Sequence, residues 1–223
     1  MAQVVKAHLP HAPGSQGALE GRTSSEWSRT VPRWGWRNTR SSSALYDDAL
    51  YVLALAKHAG LRTLNVVRRA ESVKPLLDAG ADVVLVEGAD LTEQAADAIG
   101  DSSLDLMLDA VAGEPVAQLA SLLKIDGRVI SYTARARRPL SIPVVELIFR
   151  GLSVHGYWLN HWLQRTPTDT IAQTYQELAA LFADGTLAAP VEATYALADH
   201  REAIAHAARG DRNGKVLFAT DRR

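Results

Sequence analysis

Cysteine is absent from this 223-residue chain, which excludes disulfides and thiolate metal sites and is compatible with a reducing compartment. Long apolar runs are also absent, since no stretch of 18 apolar residues occurs. The amino terminus has no charged region followed by an apolar one, the pattern of a secretory signal. We therefore expect a soluble cytoplasmic protein with no membrane partner.

The chain has no excess of charge of either sign. It carries 24 basic and 25 acidic residues, a formal net charge of -1, so no overall field attracts nucleic acid or an anionic membrane. Partners must instead be inferred from local sites. A hydrophobic content of 47% in a chain of this length is enough for one sizeable core.

Several catalytic signatures are absent as well. There is no H-E-x-x-H zinc motif, no G-x-S-x-G nucleophile elbow and no G-x-x-x-x-G-K-[ST] phosphate loop. The seven histidines have no compact carboxylate partner in the sequence, and His155 and His161 stand six residues apart. The sequence thus predicts no metal site and gives no support for a hydrolase.

The composition changes near residue 45. Residues 1–44 hold three of the five tryptophans, seven serines and little periodic apolar pattern. Six basic residues against two acidic ones give this segment a local net charge of +4, with Trp34 and Trp36 among the arginines. A basic aromatic tail can bind single-stranded nucleic acid. Because no recognition module is present, we interpret the segment as an irregular or disordered leader, or as sequence left by a truncated or frame-shifted gene.

From residue 45 onward, helical and strand patterns alternate with short glycine-marked joints, which is typical of parallel βαβ units. Residues 47–59, 71–79, 90–99, 114–124, 168–184 and 199–209 are predicted helices. The predicted strands are LRTLNVV, ADVVLVEG, LDLMLDAV, GRVISYTA, LSVHGYWL, VEATYAL and KVLFAT. The prediction is an α/β fold, a Rossmann-like parallel sheet with helices on both faces, in one domain over residues 45–223. From this alternation alone, a Rossmann-like methyltransferase remains open.

Ligands of such sheets bind beyond the carboxyl ends of the strands, so residues just after each strand are the candidates. Arg68 and Arg69 follow LNVV, where an NAD site carries an acid for the ribose hydroxyl and an NADP site carries arginine for the 2′-phosphate. Tyr132 follows RVIS, and Tyr157 and Trp158 follow LSVHG. These aromatic side chains could cover a nicotinamide ring or an adenosine.

The sequence from about Tyr51 to Asp221 resembles the cofactor domain of medium-chain dehydrogenase/reductases. The segments that carry the resemblance are YVLALAKHAGLRTLNVVRR, LLDAGADVVLVEG, LIFRGLSVHGYWL, LFADGTLAAPVEATYAL and HAARGDRNGKVLF. Within that family, the chain is most similar to the zinc-independent branch of NADPH-dependent 2-enoyl thioester reductases and quinone oxidoreductases.

The resemblance implies NADP(H) as cofactor, an enoyl thioester or a quinone as substrate, and a homodimer formed by pairing edge strands. It assigns Arg68 and Arg69 to the 2′-phosphate and Tyr132 to the turn near the adenosine or ribose. It assigns Tyr157 and Trp158 to the nicotinamide side and Lys215 to the far wall of the same cleft. Asp109, at the end of LDLMLD, is a weaker candidate.

The chain departs from the family before its first matching helix. The family has a strand and a turn like A-A-N-S-A-V-G-R there, whose glycine admits the pyrophosphate to the helix amino terminus. This chain has Ser41, Ser42, Ser43 and Ala44, followed by Asp47 and Asp48. Two carboxylates in the first helical turn would repel a phosphate.

The family's amino-terminal catalytic domain has no counterpart in the sequence, so we assign no catalytic residue. Two hypotheses follow. The chain is a shortened NADPH-dependent oxidoreductase, or it is a non-catalytic remnant that folds and dimerises without turnover.

Overall fold

The computed structural model describes residues 3–7, 43–133, 139–209 and 214–219, with the backbone alone for 3–7 and 43–48. Its strands are β1 (Gln3–Ala7), β2 (Arg62–Val67), β3 (Val83–Val86), β4 (Leu104–Asp109), β5 (Leu123–Ser131), β6 (Ser153–Gly156), β7 (Val191–Ala196) and β8 (Lys215–Ala219). Its helices are α1 (Ser43–His58), α2 (Val73–Asp78), α3 (Leu91–Ile99), α4 (Glu114–Ala120), α5 (Val144–Phe149), α6 (Leu159–Arg165), α7 (Thr168–Ala183) and α8 (His200–Ala207). Short 3-10 turns cover Ala70–Ser72 and Leu197–Asp199.

Six strands form one sheet in the order β3-β2-β1-β4-β5-β6. β2 pairs in parallel with β3, and β4, β5 and β6 pair in parallel with one another. This is the strand order of a dinucleotide-binding Rossmann sheet. The predicted fold class is therefore confirmed.

Both faces of the sheet are covered by helices. Along β2, Leu64 and Val66 join the core with α3 and α4, whereas Val67 joins a second core with α1 and α2. β3 alternates in the same way, because Val83 and Leu85 pack on the first core and Val84 and Val86 pack on the second. A strand buried on both faces must be apolar at successive positions, which explains the continuous apolar runs in the sequence.

Strand β1 corrects one expectation. Gln3–Ala7 pairs antiparallel with both β2 and β4, with Gln3 opposite Val66 and Val4 opposite Leu108. For these five residues the interpretation of residues 1–44 as irregular is wrong. The inner edges of β2 and β4 carry buried backbone donors and acceptors that require a partner strand. Residues 8–42, including Trp34 and Trp36, lie outside the described residues.

Two short helices were not predicted. α5 has six residues, too few to show a helical period. α6 begins where the sequence predicted the end of strand LSVHGYWL, because β6 already stops at Gly156. Helix α1 begins at Ser43, four residues earlier than predicted. No helix in the described part of the chain is long and apolar enough to cross a membrane.

The carboxyl-terminal strands do not extend the six-stranded sheet. β7 and β8 pair in parallel with each other as a separate two-stranded sheet. The Tyr195 hydroxyl lies 2.9 Å from His206 Nδ1, and His206 Nε2 lies 2.6 Å from Glu192 Oε1, so this network joins β7 to α8. The sequence shows no compact carboxylate partner for any histidine, and the pairing of His206 with Glu192 was not predicted. The contact depends on the packing of α8 and leaves no signal in the sequence.

Candidate cofactor site

The carboxyl ends of the parallel strands meet at one edge of the sheet, and three backbone hydrogen bonds fix the residues just beyond them. The Glu87 N–H donates to the Val67 carbonyl at 2.8 Å, continuing the β2–β3 ladder. The Tyr132 N–H donates to the Asp109 carbonyl at 3.1 Å, and the Tyr157 N–H donates to the Ser131 carbonyl at 2.8 Å. The predicted candidates that follow β2, β5 and β6 therefore lie along one edge of the sheet, where ligands of open α/β sheets bind. We call it the ligand edge.

Arg68 and Arg69 directly follow β2, and both face solvent. Arg68 Nε lies 3.5 Å from Glu87 Oε1, with 58% and 37% of the two side chains exposed. Arg69 Nε lies 3.2 Å from Glu71 Oε1, with both side chains about two-thirds exposed. Two exposed guanidinium groups match a phosphate in charge, but each already contacts a carboxylate.

Asp109 organises the turn after β4. It is fully buried, and its Oδ1 accepts the N–H groups of Val111 at 2.9 Å and Ala112 at 2.7 Å. Ala112 has a φ of 65°, an uncommon value for a residue with a side chain. Two backbone donors held by one carboxylate keep this turn in place. Asp109 therefore stabilises the turn after β4 at the edge of the site.

The aromatic candidates differ in exposure. Tyr132 and Tyr157 are half-buried, and the Tyr157 hydroxyl oxygen lies inside the protein. Trp158 is 66% exposed and stands at the amino end of α6, where its carbonyl accepts the Trp162 N–H. Trp158 therefore presents a flat apolar surface to solvent, whereas the two tyrosines are only partly accessible.

Lys215 lies elsewhere in the fold. It is the first residue of β8 and pairs with Val191 in the two-stranded sheet, where its N–H donates to the Pro190 carbonyl at 2.7 Å. Among the described strands, none pairs this sheet with the six-stranded one. Strand pairing therefore does not bring Lys215 together with the arginines and aromatic residues, and its role stays a prediction.

The pyrophosphate part of the site departs from a Rossmann arrangement. Because β1 runs antiparallel to its neighbours, its amino end lies at the ligand edge, so β1 cannot lead through a short turn into the amino terminus of α1. Asp47 and Asp48 also lie in the second turn of α1 and not in the first, because α1 begins at Ser43. The prediction that placed them in the first turn is wrong, and their side chains lie outside the described atoms.

The described residues also show whether side chains are grouped so as to bind a metal. Among them, no three histidine, aspartate or glutamate side chains are grouped so as to hold a metal ion. Structural and catalytic zinc sites require three or four such ligands or cysteines. The described part of the chain therefore does not fit a zinc centre.

Glu87 was not among the predicted site residues. The same rule that selected Arg68 would have found it, because Glu87 is the first residue after the apolar run VLV of the neighbouring parallel strand. The pairing of its strand with β2 is not visible in the sequence, so the contact of Glu87 with Arg68 could not be predicted.

Comparisons with known proteins agree with this geometry. Residues 49–183 match the family model described as zinc-binding dehydrogenase. A mitochondrial enoyl-[acyl-carrier-protein] reductase of Dictyostelium discoideum is 35% identical over 121 residues, which cover 52% of this chain and 35% of that protein. The enzyme of the same name from Caenorhabditis elegans is 31% identical over 160 residues, 69% of this chain and 45% of that protein.

Solved structures show the same fold. A protein from Mesorhizobium loti, described provisionally as an NADPH:quinone reductase, is 27% identical with a TM-score of 0.61, covering 77% of this chain and 49% of that one. An enoyl thioester reductase mutant from Candida tropicalis has a TM-score of 0.63 at 21% identity, covering 77% of this chain and 50% of that one.

The part of this chain that aligns spans less than half of the length of either curated relative. The family match nevertheless covers more than half of this chain and includes β2 to β6, the strands that form the candidate edge. The chain therefore belongs to the zinc-binding dehydrogenase family, as its resemblance to the medium-chain dehydrogenase/reductases predicted.

Proposed function

We propose that this chain is the cofactor-binding part of an NADPH-dependent oxidoreductase that reduces an activated C=C bond of a 2-enoyl thioester, or a quinone. The curated relatives reported above are enoyl-[acyl-carrier-protein] reductases, and the Mesorhizobium loti protein is described as an NADPH:quinone reductase. Because the chain covers less than half of those enzymes, the activity and the substrate are proposals for this chain.

The observation that carries the proposal is the position of two arginines. Arg68 and Arg69 follow β2 at the ligand edge, where the adenosine ribose of a bound dinucleotide is read. An acid at this position would hydrogen-bond a free ribose hydroxyl, whereas guanidinium groups pair with a 2′-phosphate. This arrangement favours NADPH over NADH.

When bound, the cofactor supplies the hydride, and the protein's part is to bind and orient it. Arg68 and Arg69 would hold the 2′-phosphate. Tyr132 would lie beside the adenosine or ribose, and Tyr157 and Trp158 would cover the nicotinamide side. Lys215 is proposed for the far wall of the cleft. We assign no residue of this chain as the proton donor.

A second candidate function is a non-catalytic protein that folds and dimerises in the same way. Two observations favour it: the antiparallel β1 occupies the central place in the sheet, and both arginines already contact carboxylates. Both features oppose a bound dinucleotide. The two candidates differ in a single measurable property, which is consumption of NADPH in the presence of an acceptor.

The test is calorimetric titration of the purified chain with NADPH and NADH, and of the Arg68→Ala/Arg69→Ala variant with both. Losing charge-assisted contacts to the 2′-phosphate costs about 1.5–3 kcal/mol, so the variant should bind NADPH more than tenfold more weakly and NADH unchanged. Equal binding of NADPH and NADH to the unmodified chain would refute the arginine assignment. Spectrophotometric assay of NADPH consumption with crotonyl thioester and with a quinone then separates a reductase from a non-catalytic protein.

We also propose a homodimer as the working assembly. β6 is the outer strand of the six-stranded sheet and pairs only with β5 among the described strands. The adjacent α5 exposes a group of apolar side chains, namely Val144, Val145, Ile148 and Phe149, and Phe149 is 81% exposed. An unpaired strand edge beside an apolar helix invites the same surface of a second copy, since a two-fold axis pairs a patch with itself.

The cellular location is a separate proposal. We retain the cytoplasm for this chain, although the reductases to which it is similar are named as mitochondrial. Fractionation of source cells with an antibody to the chain distinguishes the two locations.

A further inference from the structure

Glu87 lies opposite Arg68 because of how β2 and β3 pair. Val67 and Val86 are register partners in the parallel ladder, and the Glu87 N–H donates to the Val67 carbonyl at 2.8 Å. Glu87 and Arg68 are therefore the first residues beyond two adjacent strands. Their side chains meet with Glu87 Oε1 3.5 Å from Arg68 Nε.

This ion pair contributes little to the stability of the fold. Both side chains reach solvent, with 58% of Arg68 and 37% of Glu87 exposed. Exposed pairs of this kind are worth little, because water screens them and two long side chains lose rotational freedom. The charge of Glu87 can instead act on a ligand that binds at Arg68.

A nucleotide 2′-phosphate bound by Arg68 would place a second anion on the guanidinium that Glu87 already contacts. Like charges at such short range repel each other, and the carboxylate would have to withdraw or remain beside the phosphate. A nucleotide without a 2′-phosphate brings no such charge. The contact therefore penalises one class of ligand and leaves the other unaffected.

We propose that Glu87 is a specificity-determining residue of the nucleotide site: it holds Arg68 and reduces the preference for nucleotides that carry a 2′-phosphate. The inference rests on the proposed function, since it concerns the same site. It differs from the arginine assignment, which predicts only that the site favours NADPH. Glu87 sets how large that preference is.

The pair Arg69–Glu71 does not carry the same inference. Glu71 stands two residues after Arg69 within one short 3-10 turn, and both side chains are about two-thirds exposed. Glu71 can turn away into solvent without loss of other contacts described for its side chain. Glu87 is less exposed than Glu71, and its backbone is fixed by the strand ladder.

The test uses the full chain and two small probes, 2′,5′-ADP and AMP, titrated calorimetrically at low salt. Glu87→Gln keeps the size of the side chain and removes its charge. We expect about tenfold tighter binding of 2′,5′-ADP and unchanged binding of AMP. The gain should shrink at high salt, where exposed charges are screened.

Two controls separate the action of Glu87 through Arg68 from a general change of charge. Glu93→Gln removes the same charge from an exposed position in the first turn of α3, which follows β3, and should leave both affinities unchanged. In an Arg68→Ala background, Glu87→Gln should produce a clearly smaller gain for 2′,5′-ADP. Thermal unfolding of each variant should match the parent.

The possible outcomes are distinct. If the probes bind but Glu87→Gln changes nothing, changes both probes equally, or acts equally without Arg68, the inference is overturned and the proposed function stands. If neither probe binds to any variant, the proposed function fails and the role of Glu87 fails with it.

Discussion

Single residues at the edge of the sheet divide into those that shape the site and those that would contact a ligand. Asp109 belongs to the first group, because its buried carboxylate accepts two backbone N–H groups of the turn after β4. We propose Arg68, Arg69 and Trp158 for the second, because they follow strands of the sheet and their side chains are exposed. Substitution should separate the groups, since the first affects stability and the second affects affinity.

Asp109→Ala tests the structural group. It leaves the N–H groups of the half-buried residues Val111 and Ala112 without their acceptor, and an unsatisfied buried group costs about 1–3 kcal/mol. We expect the free energy of unfolding, measured by urea denaturation, to fall by about 2–4 kcal/mol. Asp97→Ala, the same change at an exposed position of α3, should alter it by less than about 0.5 kcal/mol. Equal losses in the two variants would contradict this account of the turn.

At the scale of elements, β1 has the largest consequence for the site. It supplies hydrogen-bonding partners to β2 and β4, yet its antiparallel direction prevents the strand–turn–helix connection that seats a pyrophosphate. The same strand therefore completes the sheet and alters the ligand edge. The direction of β1 therefore bears directly on whether a dinucleotide binds.

Val5→Pro tests the position of β1. Val5 lies opposite Leu64 on one side and Met107 on the other, and proline removes its N–H from the centre of the sheet. We expect a loss of stability of about 3 kcal/mol, seen as a lower midpoint in thermal unfolding. Val5→Thr keeps the N–H and the β-branched shape and should unfold close to the parent. Identical unfolding of the two variants would show that residues 3–7 do not form this strand.

For the whole molecule, the six-stranded sheet ends in two outer strands, β3 and β6. The opposite edge strand, β3, is followed by the contact between Glu87 and Arg68, whereas β6 is bordered by the apolar surface of α5. Exposed apolar groups of this kind mark interaction surfaces. We expect two copies to associate there.

Ile148→Glu tests this association. Ile148 is 66% exposed on α5, so a charge there is harmless to the monomer but is buried without a partner in the proposed dimer. Sedimentation velocity at micromolar concentration should show a dimer for the parent and a monomer for the variant. Ile204→Glu, at a 62% exposed isoleucine on α8, is the matched control and should remain dimeric. A monomeric parent, or equal disruption by both substitutions, would refute the dimer.

The sequence by itself determined the seven strands and six of the eight described helices from residue 45 onward, and the position of Arg68 directly after a strand. Apolar runs such as VVLV pack against helices on both faces of the sheet, and glycines mark the joints, so local chemistry is sufficient for these features. Arg68 could be placed at the edge because it follows β2, whatever the rest of the fold does.

Only the tertiary structure decided which side chains meet across elements. Two contacts depend on elements that are distant in the chain, namely Glu87 with Arg68 and His206 with Glu192. The direction of β1 and the separation of β7 and β8 from the main sheet also depend on neighbours distant in the chain. Five residues such as QVVKA form a strand because open backbone groups on β2 and β4 require one, and no pattern within the five residues encodes that requirement or its direction.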